Sequence, residues 1–444
     1  MSILKTPFLL RKWFWIGDFF KGSPMWHAYC DVRNIAENRN GTASQRRNEL
    51  LTHLLEHAKN NTEFYKDNTY KSLSDYPVVN KQTILGNYDA FFVAPDKIPG
   101  QKGKVHVQKT SGSTGTPFEI RQDTNCRTRR IATIKYENDL IGFHSFEPMM
   151  HLRAFAHYWG GEEKIRYAKD LNIWYADNAD LTDERVKEIL DTIIYNKIKY
   201  VRGYMTSLDI ITRYAVEHGI EFTHEVFFIS VGELLLESLR NRIVNDLHCH
   251  LISQYGNEEN GIFGSTDIDG VGTEMNLNGA NCIVEILKLD SDEPVEGGEL
   301  GRIVVTDLTN YAMPMIRYEI GDVAAIGNMS DDGIITKIVK LSGRKTDLIL
   351  KQDGTHVDFF NSVPKEVYNN PKIRQWQFIQ HSLDNCTLKL TTVDALTPNE
   401  EQFFKASIQD LLGATVTVNI AQVDEIPVLS SGKRKVVINE IGKK

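Results

Sequence analysis

Nowhere in this chain do about 20 apolar residues follow one another, so no segment reads as a membrane span. The five cysteines, Cys30, Cys126, Cys249, Cys282 and Cys386, are odd in number and scattered, with no CxxC pair. That usage excludes a disulfide scaffold and suits a reduced, cytoplasmic protein. His248 and His250 would share one face of a strand, but with Cys249 between them and only a distant Cys282 the set is too poor for zinc. There is no basic block before roughly the last dozen residues, and 51 basic against 59 acidic residues leave a net charge of −8. Nucleic acid is thereby excluded as the main partner, because phosphate-backbone binding needs a concentrated positive field. Walker, GxGxxG and kinase motifs are all missing, which removes a plain phosphotransferase. Internal repeats and low-complexity tracts are missing too. The opening "MSILKTPFLLRKWFWIGDFFKG" lacks a small-residue cleavage site, so it is no secretory signal. It reads as a terminal helix packed on its own domain, with peripheral contact to a membrane surface as the alternative.

What is present is a chain of 444 residues, 41% hydrophobic, enough for two or three folded units. Leu50, Leu51, Leu54, Leu55 and Ala58 fall at helical spacing in a helix that Asn60 and Asn61 end. "YPVVNKQTILGNY" follows as a turn with Asn80 capping a short helix. The middle alternates helices ("DERVKEILDTIIYNKI", "SLDIITRYAVEHG", "LLLESLRNRIVNDLH") with strands ("YVRGY", "EVFFISVGE"), which implies crossover connections and a mostly parallel sheet. After Gly256, short alternating runs such as "NCIVEILKL" and "GRIVVTDL" imply an antiparallel sheet or small barrel. From about Lys345 the chain reads as a compact α+β unit, with "SGRKT" as linker. The expected fold class is therefore α/β: a large N-terminal domain of mostly parallel sheets flanked by helices, a small β-barrel-like subdomain, and a small mobile α+β C-terminal domain. The boundaries expected are a helical extension at 1–44, a large domain at 45–344 and a small one at 345–444.

"KTSGSTGTP" sets glycines and hydroxyls between two apolar-alternating runs, the composition of a phosphate cradle but also of an ordinary connection. "SQYGNEENG" places an aromatic, a glycine and two carboxylates at a strand exit. "MIRYEIGDVA" ends with Asp322, suited to ribose hydroxyls, while Arg344 in "LSGRKTDLIL" can bridge phosphate or sugar oxygens. "IPVLSSGKRKVVI" offers Lys433 near the C-terminus.

In this order, these stretches resemble the adenylate-forming superfamily of acyl-CoA synthetases and adenylation domains. The nearest likeness is to its phenylacetate-CoA ligase branch, including members associated with capsular and other surface polysaccharides. "KTSGSTGTP" is similar to the family's phosphate loop, "FISVGELL" to its GxE motif, "QYGNEENG" to YGxTE, "MPMIRYEIGD" to its IRY-x-x-GD segment, "GRKTDLILKQDG" to its hinge and "SSGKRKVV" to its terminal SGKxxR. The resemblance runs from about Gln45 to the end. It implies that Thr110, Ser111, Gly112, Ser113, Thr114, Gly115 and Thr116 grip the phosphates of ATP. Gly232 and Glu233 would lie beside the adenine, and Tyr255 and Gly256 against nucleotide and acyl group. Glu259 would hold Mg2+, Asp322 the ribose with help from Arg344, and Lys433 would contact the substrate carboxylate and α-phosphate. Tyr158, Trp159 and Gly160 in "AFAHYWGG", with Tyr255, would wall the acid pocket.

The sequence departs from the family where Glu258 replaces the threonine of YGxTE, which leaves either carboxylate available as the metal ligand, and where Thr346 stands before Asp347 in the hinge. The activity implied is ATP- and Mg-dependent activation of a small carboxylic acid to an acyl-adenylate, then acyl transfer to CoA. An amine acceptor, such as an amino sugar in surface polysaccharide biosynthesis, is the alternative acceptor. A catalytically silent nucleotide-binding regulator is the rival of another class, and the retention of Glu259, Asp322, Arg344 and Lys433 speaks against it.

Overall fold

The computed structural model describes residues 6–67, 69–110, 118–154, 165–179, 181–271, 273–357, 359–364, 366–367, 370, 372–427 and 435–441. Three helices open it: α1 (Pro7–Phe20), α2 (Pro24–Ala36) and α3 (Ala43–Asn61). The first two start on proline, whose missing N–H costs nothing in a first turn. Asp18 of α1 accepts from the amides of Met25 (3.1 Å) and Trp26 (2.9 Å), so it caps α2 and folds the pair into a hairpin. Phe14 lies against Phe146, Trp15 against Tyr29, and Arg11 pairs with Glu147 at 3.3 Å, so α1 packs on its own domain. Its other side leaves Phe8, Ile16, Phe19 and Phe20 exposed. Leu50, Leu54 and Ala58 of α3 are buried, as their spacing implies. Asn80 accepts from Thr83 N at 2.9 Å and starts α4 (Lys81–Gly86).

An antiparallel ribbon of β1 (His106–Thr110) and β2 (Phe118–Gln122) leads into α5 (Thr124–Asp139). Then come β3 (Met149–Arg153), β4 (Ile165–Ala168), β5 (Ile173–Asp177), α6 (Asp183–Tyr195), β6 (Tyr200–Tyr204), α7 (Met205–Glu217), β7 (Phe227–Val231), α8 (Glu237–Asn241) and β8 (His250–Asn257). Strands β5, β3, β6, β7 and β8 lie side by side and parallel, the crossover arrangement that alternating helices and strands demand. The helix expected over "LLLESLRNRIVNDLH" starts only at Glu237, and it continues as a π-type turn over Arg242–Asp246.

The remaining strands of this sheet are β9 (Gly261–Ser265), β10 (Met275–Leu277), β11 (Cys282–Leu287), β12 (Gly301–Asp307), β13 (Tyr318–Met329) and β14 (Ile335–Arg344). They pair antiparallel with one another, and β9 also pairs with β8. The antiparallel part continues the parallel part in one sheet of 12 strands, ordered β11-β12-β13-β14-β10-β9-β8-β7-β6-β3-β5-β4, and its strands enclose a core with Phe263, Val284, Ile303 and Ile338. The expected linker "SGRKT" is not free chain. Ser342 and Arg344 belong to β14, paired with Val323 and Asp322 of β13. Only Lys345–Asp347, a 3-10 turn, joins the parts.

Beyond it lie β15 (Ile349–Leu350), β16 (His356–Val357), β17 (Ile373–Ser382), β18 (Asn385–Thr392), a helix Pro398–Leu412, β19 (Thr417–Gln422) and β20 (Val437–Asn439). Four of these strands form a separate sheet, ordered β19-β18-β17-β20. The helix carries a complete capping box between Thr397 and Glu400 and buries Phe404, Ile408 and Leu412. With Phe378, Leu388 and Leu390 they make a core of their own.

Candidate active site

The site is built where β8 ends. Gly256 is required there by close approach, since a Cβ on it would lie 2.3 Å from the Gly261 carbonyl oxygen. The turn that follows carries Glu258 and Glu259 and is braced from below by Arg130 of α5. The Arg130 guanidinium donates to the Glu258 carbonyl at 2.9 Å, to the Glu259 carbonyl, and to the buried Asp307 carboxylate at 3.1 Å. This brace fixes which carboxylate faces inward: Glu258 is exposed and Glu259 is partly buried. Burial pushes the Glu259 carboxyl above the ordinary range, opposed by the charges of Arg344 and Lys81.

On the neighbouring face, Tyr255 Oη donates to Asp322 Oδ2 at 2.9 Å. Arg344 Nε lies 3.3 Å from Asp322 Oδ1, and its Nη1 donates to the Ile320 carbonyl at 2.5 Å. Asp322 and Arg344 are direct partners across β13 and β14, at a point where the register shifts. Such a bulge re-aims side chains toward a site. Gly321, at φ +88°, leaves Arg344 its room, because a Cβ there would sit 3.0 Å from Nη1. Burial and the adjacent Asp322 charge push the Tyr255 phenol up, so it stays protonated and remains the donor in this pair.

Gly232 leaves β7 with φ +72°, and the Glu233 carboxylate then accepts from Thr206 N (2.8 Å) and Thr206 Oγ1 (3.2 Å). Glu233 thus closes the first turn of α7, a positioning role that its motif alone did not reveal. A Cβ on Gly343 would lie 3.7 Å from Leu234, so the segment after Glu233 packs against the end of β14.

Tyr255, Gly256, Glu259, Asp322 and Arg344 are therefore brought together. Thr110 is the last residue of β1, paired with Phe118, and Lys109 pairs with Glu119 at 3.1 Å. Ser111, Gly112, Ser113, Thr114, Gly115 and Thr116, as well as Tyr158, Trp159, Gly160 and Lys433, lie outside the described residues. Three participants escaped the sequence reading. Arg130 carried no motif signal. Lys81 is brought in because Val79 bridges to Tyr318, its N–H bonded to Arg317 O at 3.0 Å. Tyr318 itself stands in "IRYEIGD", and burial beside Glu259 pushes its phenol up.

The connection at 345–347 holds both parts of the chain. Lys345 Nζ donates to the Leu289 carbonyl at 2.6 Å, while Asp347 pairs with Lys435 at 3.2 Å. Arg213 of α7 donates to the carbonyls of Ile373 (3.2 Å) and Arg374 (3.3 Å), and Glu217 pairs with Arg374.

Among the described residues, the Glu259 carboxylate has no bonded partner beyond its own amide. No cluster of three His, Cys, Asp or Glu side chains forms among the described residues, so Glu259 would hold a divalent cation only together with phosphate oxygens. His250, by contrast, is engaged with Asp269 at 2.8 Å, and the Cys249 thiol with the Leu247 carbonyl at 3.3 Å.

Comparison with known proteins bears on the fold. Residues 349–440 match the CapK C-terminal domain family. Protein CapK of Staphylococcus aureus is 23% identical over 442 residues, covering 94% of this chain and 93% of that protein. Among solved structures, 2-hydroxyisobutyryl-CoA ligase in its postadenylation state superposes with a TM-score of 0.66 at 17% identity, covering 89% of this chain and 90% of the ligase. The same ligase in its thioesterification state gives 0.51 at 16% identity, covering 90% and 91%. The amide bond synthetase McbA from Marinactinospora thermotolerans gives 0.50 at 16% identity, covering 74% and 67%. The chain thus carries the fold of the adenylate-forming ligases and ends in a domain of the CapK type.

Proposed function

We propose that this protein activates a small carboxylic acid with ATP and then transfers the acyl group to an acceptor. The observation that carries the reading is the Tyr255–Asp322–Arg344 cluster, set beside an inward Glu259 at the junction of the two parts of the chain. A carboxylate oxygen of the acid attacks the α-phosphorus, the bond to the β-phosphate oxygen breaks, and pyrophosphate leaves. Both reactants are anionic, so positive groups must offset the charge that develops. Asp322, oriented by Tyr255 and Arg344, accepts from the ribose hydroxyls and fixes the nucleotide. Residues 110–116 and Lys433 are assigned to the phosphates and to the reacting carboxylate. Glu259 would hold Mg2+, which when bound offsets charge on the phosphates. Much of the remaining acceleration is positioning.

In the second step the acceptor attacks the acyl carbon and AMP departs. CoA is the acceptor we favour, supported by the likeness to a CoA ligase over 89% of the chain. The likeness to an amide bond synthetase supports an amine as the second reading, with surface polysaccharide assembly as its setting. The arrangement of the two parts is nearer to the postadenylation state of the CoA ligase than to its thioesterification state, which supports rotation at 345–347 between the steps. Pyrophosphate release, measured with a panel of carboxylic acids with and without CoA or amines, tests the proposal. Acid-dependent release is expected. ATP binding without release for any acid would favour the silent regulator.

A further inference from the structure

The face of the parallel strands that carries Gln254 is arranged in rows. Nearest the strand ends lie Asp177, Arg153, Tyr204, Val231 and Gln254; one step below lie Tyr175, His151, Arg202, Ile229 and Ile252. Beneath these, Met149, Tyr200 and Phe227 join Ile141 and Phe143 in an apolar cluster. The polar row is thus let into an otherwise greasy face. Ile229 and Ile252 are fully covered, whereas Tyr175, His151, Arg202, Tyr204 and Val231 all keep some accessible surface, which outlines a recess at the strand ends. Ligands of parallel sheets bind at that end. By strand rise the lower row lies three residues, about 10 Å, short of Tyr255 on β8.

Arg202 is the anomaly in this recess. Arginines largely withdrawn from water are usually paired with carboxylates. Among the described residues Arg202 has neither a hydrogen bond nor an ion pair, and its neighbours in the row are an imidazole and an isoleucine. Asp177 is turned to the amide of Ala179 at 3.0 Å. Lack of solvation pulls the guanidinium down to about 10 and keeps His151 neutral, its value lowered to about 3 by burial and then by the charges of Arg202 and Arg153. A second loose end lies in the row above. Gln254 is 3% exposed, its Nε2 donates to Asn138 at 3.3 Å, and its buried Oε1 has no partner among the described residues.

We propose that Arg202, flanked by His151, binds a second carboxylate on the acid that this chain activates, so that the substrate is a small dicarboxylic acid. The guanidinium fork takes that carboxylate bidentately, and the neutral imidazole donates one further hydrogen bond. The aliphatic part of the acid lies against Ile229 and Val231. The other carboxylate points toward Gly256 at the end of β8, where the adenylate forms. This inference rests on the adenylation reading above and adds the charge of the substrate to it.

The test is acid-dependent ATP–pyrophosphate exchange by the full chain with succinate and glutarate against their chain-matched partners butyrate and valerate. The dicarboxylates are expected to show a kcat/KM higher by roughly tenfold or more, the discrimination that a built polar site supplies. Arg202→Met is expected to abolish that preference while leaving the KM values for ATP and CoA within about twofold, and Arg202→Lys to retain part of it. Exchange with monocarboxylates equal to or better than with dicarboxylates in the unmodified protein overturns the inference and leaves adenylation standing, and needs no variant to fold. A rise in the KM for ATP or CoA in Arg202→Met, with acid preference unchanged, would assign Arg202 to a phosphate and overturn it as well. If no acid of either class supports exchange, the adenylation reading falls first and this inference with it.

Discussion

Replacing Arg213 by alanine isolates the part of the account that concerns motion. Arg213 sits on α7 and donates to two main-chain carbonyls across the junction, those of Ile373 and Arg374. Its other bond, to Asp209 at 3.0 Å, is dispensable for that carboxylate, which Arg242 also holds at 2.6 Å. The substitution therefore removes two contacts between the parts of the chain without stranding a buried charge. Hydrogen bonds from a charged donor contribute about 1.5–3 kcal/mol each when well buried, and about 1 kcal/mol is a fair figure for these partly exposed ones. The loss of roughly 2 kcal/mol shifts the balance against the present arrangement by up to about 30-fold. If adenylation needs this arrangement and acyl transfer needs the rotated one, the half-reactions must respond differently. ATP–pyrophosphate exchange should fall by up to about 30-fold, while transfer from a synthetic acyl-adenylate to its acceptor should hold or rise. Equal losses in both half-reactions, or no loss in either, would refute the reasoning.

The two adjacent glutamates should separate sharply. Glu259→Gln is expected to lower exchange by about 100-fold or more, as loss of a metal-holding carboxylate does, and exposed Glu258→Gln to stay within about twofold. Because burial raises the Glu259 carboxyl above its unfolded value, the favourable contribution of its protonated form is fully present below the unfolded value and is lost as pH rises through the folded one. Thermal unfolding of Glu259→Gln should accordingly show a melting temperature above the native protein's at neutral pH, with the gain gone below about pH 4. Tyr255→Phe leaves the Asp322 carboxylate one donor short, and the KM for ATP should rise by about five- to tenfold with acid KM little changed. Gly256→Ala forces a methyl onto the Gly261 backbone and should cost about 2–3 kcal/mol in denaturant unfolding; a neutral result would mean the turn is not as tight as described.

Much of the site was legible because it is made of short stretches whose chemistry survives without context. "QYGNEENG" pointed to a strand exit and "IRYEIGD" to an Asp suited to ribose hydroxyls, and Tyr255, Asp322 and Arg344 do meet. Sequence could not choose between Glu258 and Glu259, since the choice is made by Arg130, which lies more than a hundred residues upstream and holds both carbonyls. Glu233 was read beside the adenine, and its bond to Thr206 at the start of α7, set by the parallel pairing of β6 and β7, was not legible from its motif. The antiparallel runs were visible from their alternation, but their union with the parallel strands depends on β9 folding back on β8, and the Gly256 to Gly261 turn that permits this looks like any glycine pair in the sequence. Arg202 went unnoticed for the opposite reason. Its meaning lies in its having no partner among the described residues, and that is invisible until the neighbouring strands are in register.

The most direct measurement of the central claim follows oxygen atoms. The full chain is incubated with ATP, Mg2+, an acceptor and the best acid of the panel labelled with oxygen-18 in its carboxylate, and the nucleotide product is analysed by mass spectrometry. Attack of the carboxylate on the α-phosphorus predicts AMP carrying one heavy oxygen, with unlabelled pyrophosphate. Unlabelled AMP, or ADP with label in inorganic phosphate, would contradict adenylation and with it the function proposed here.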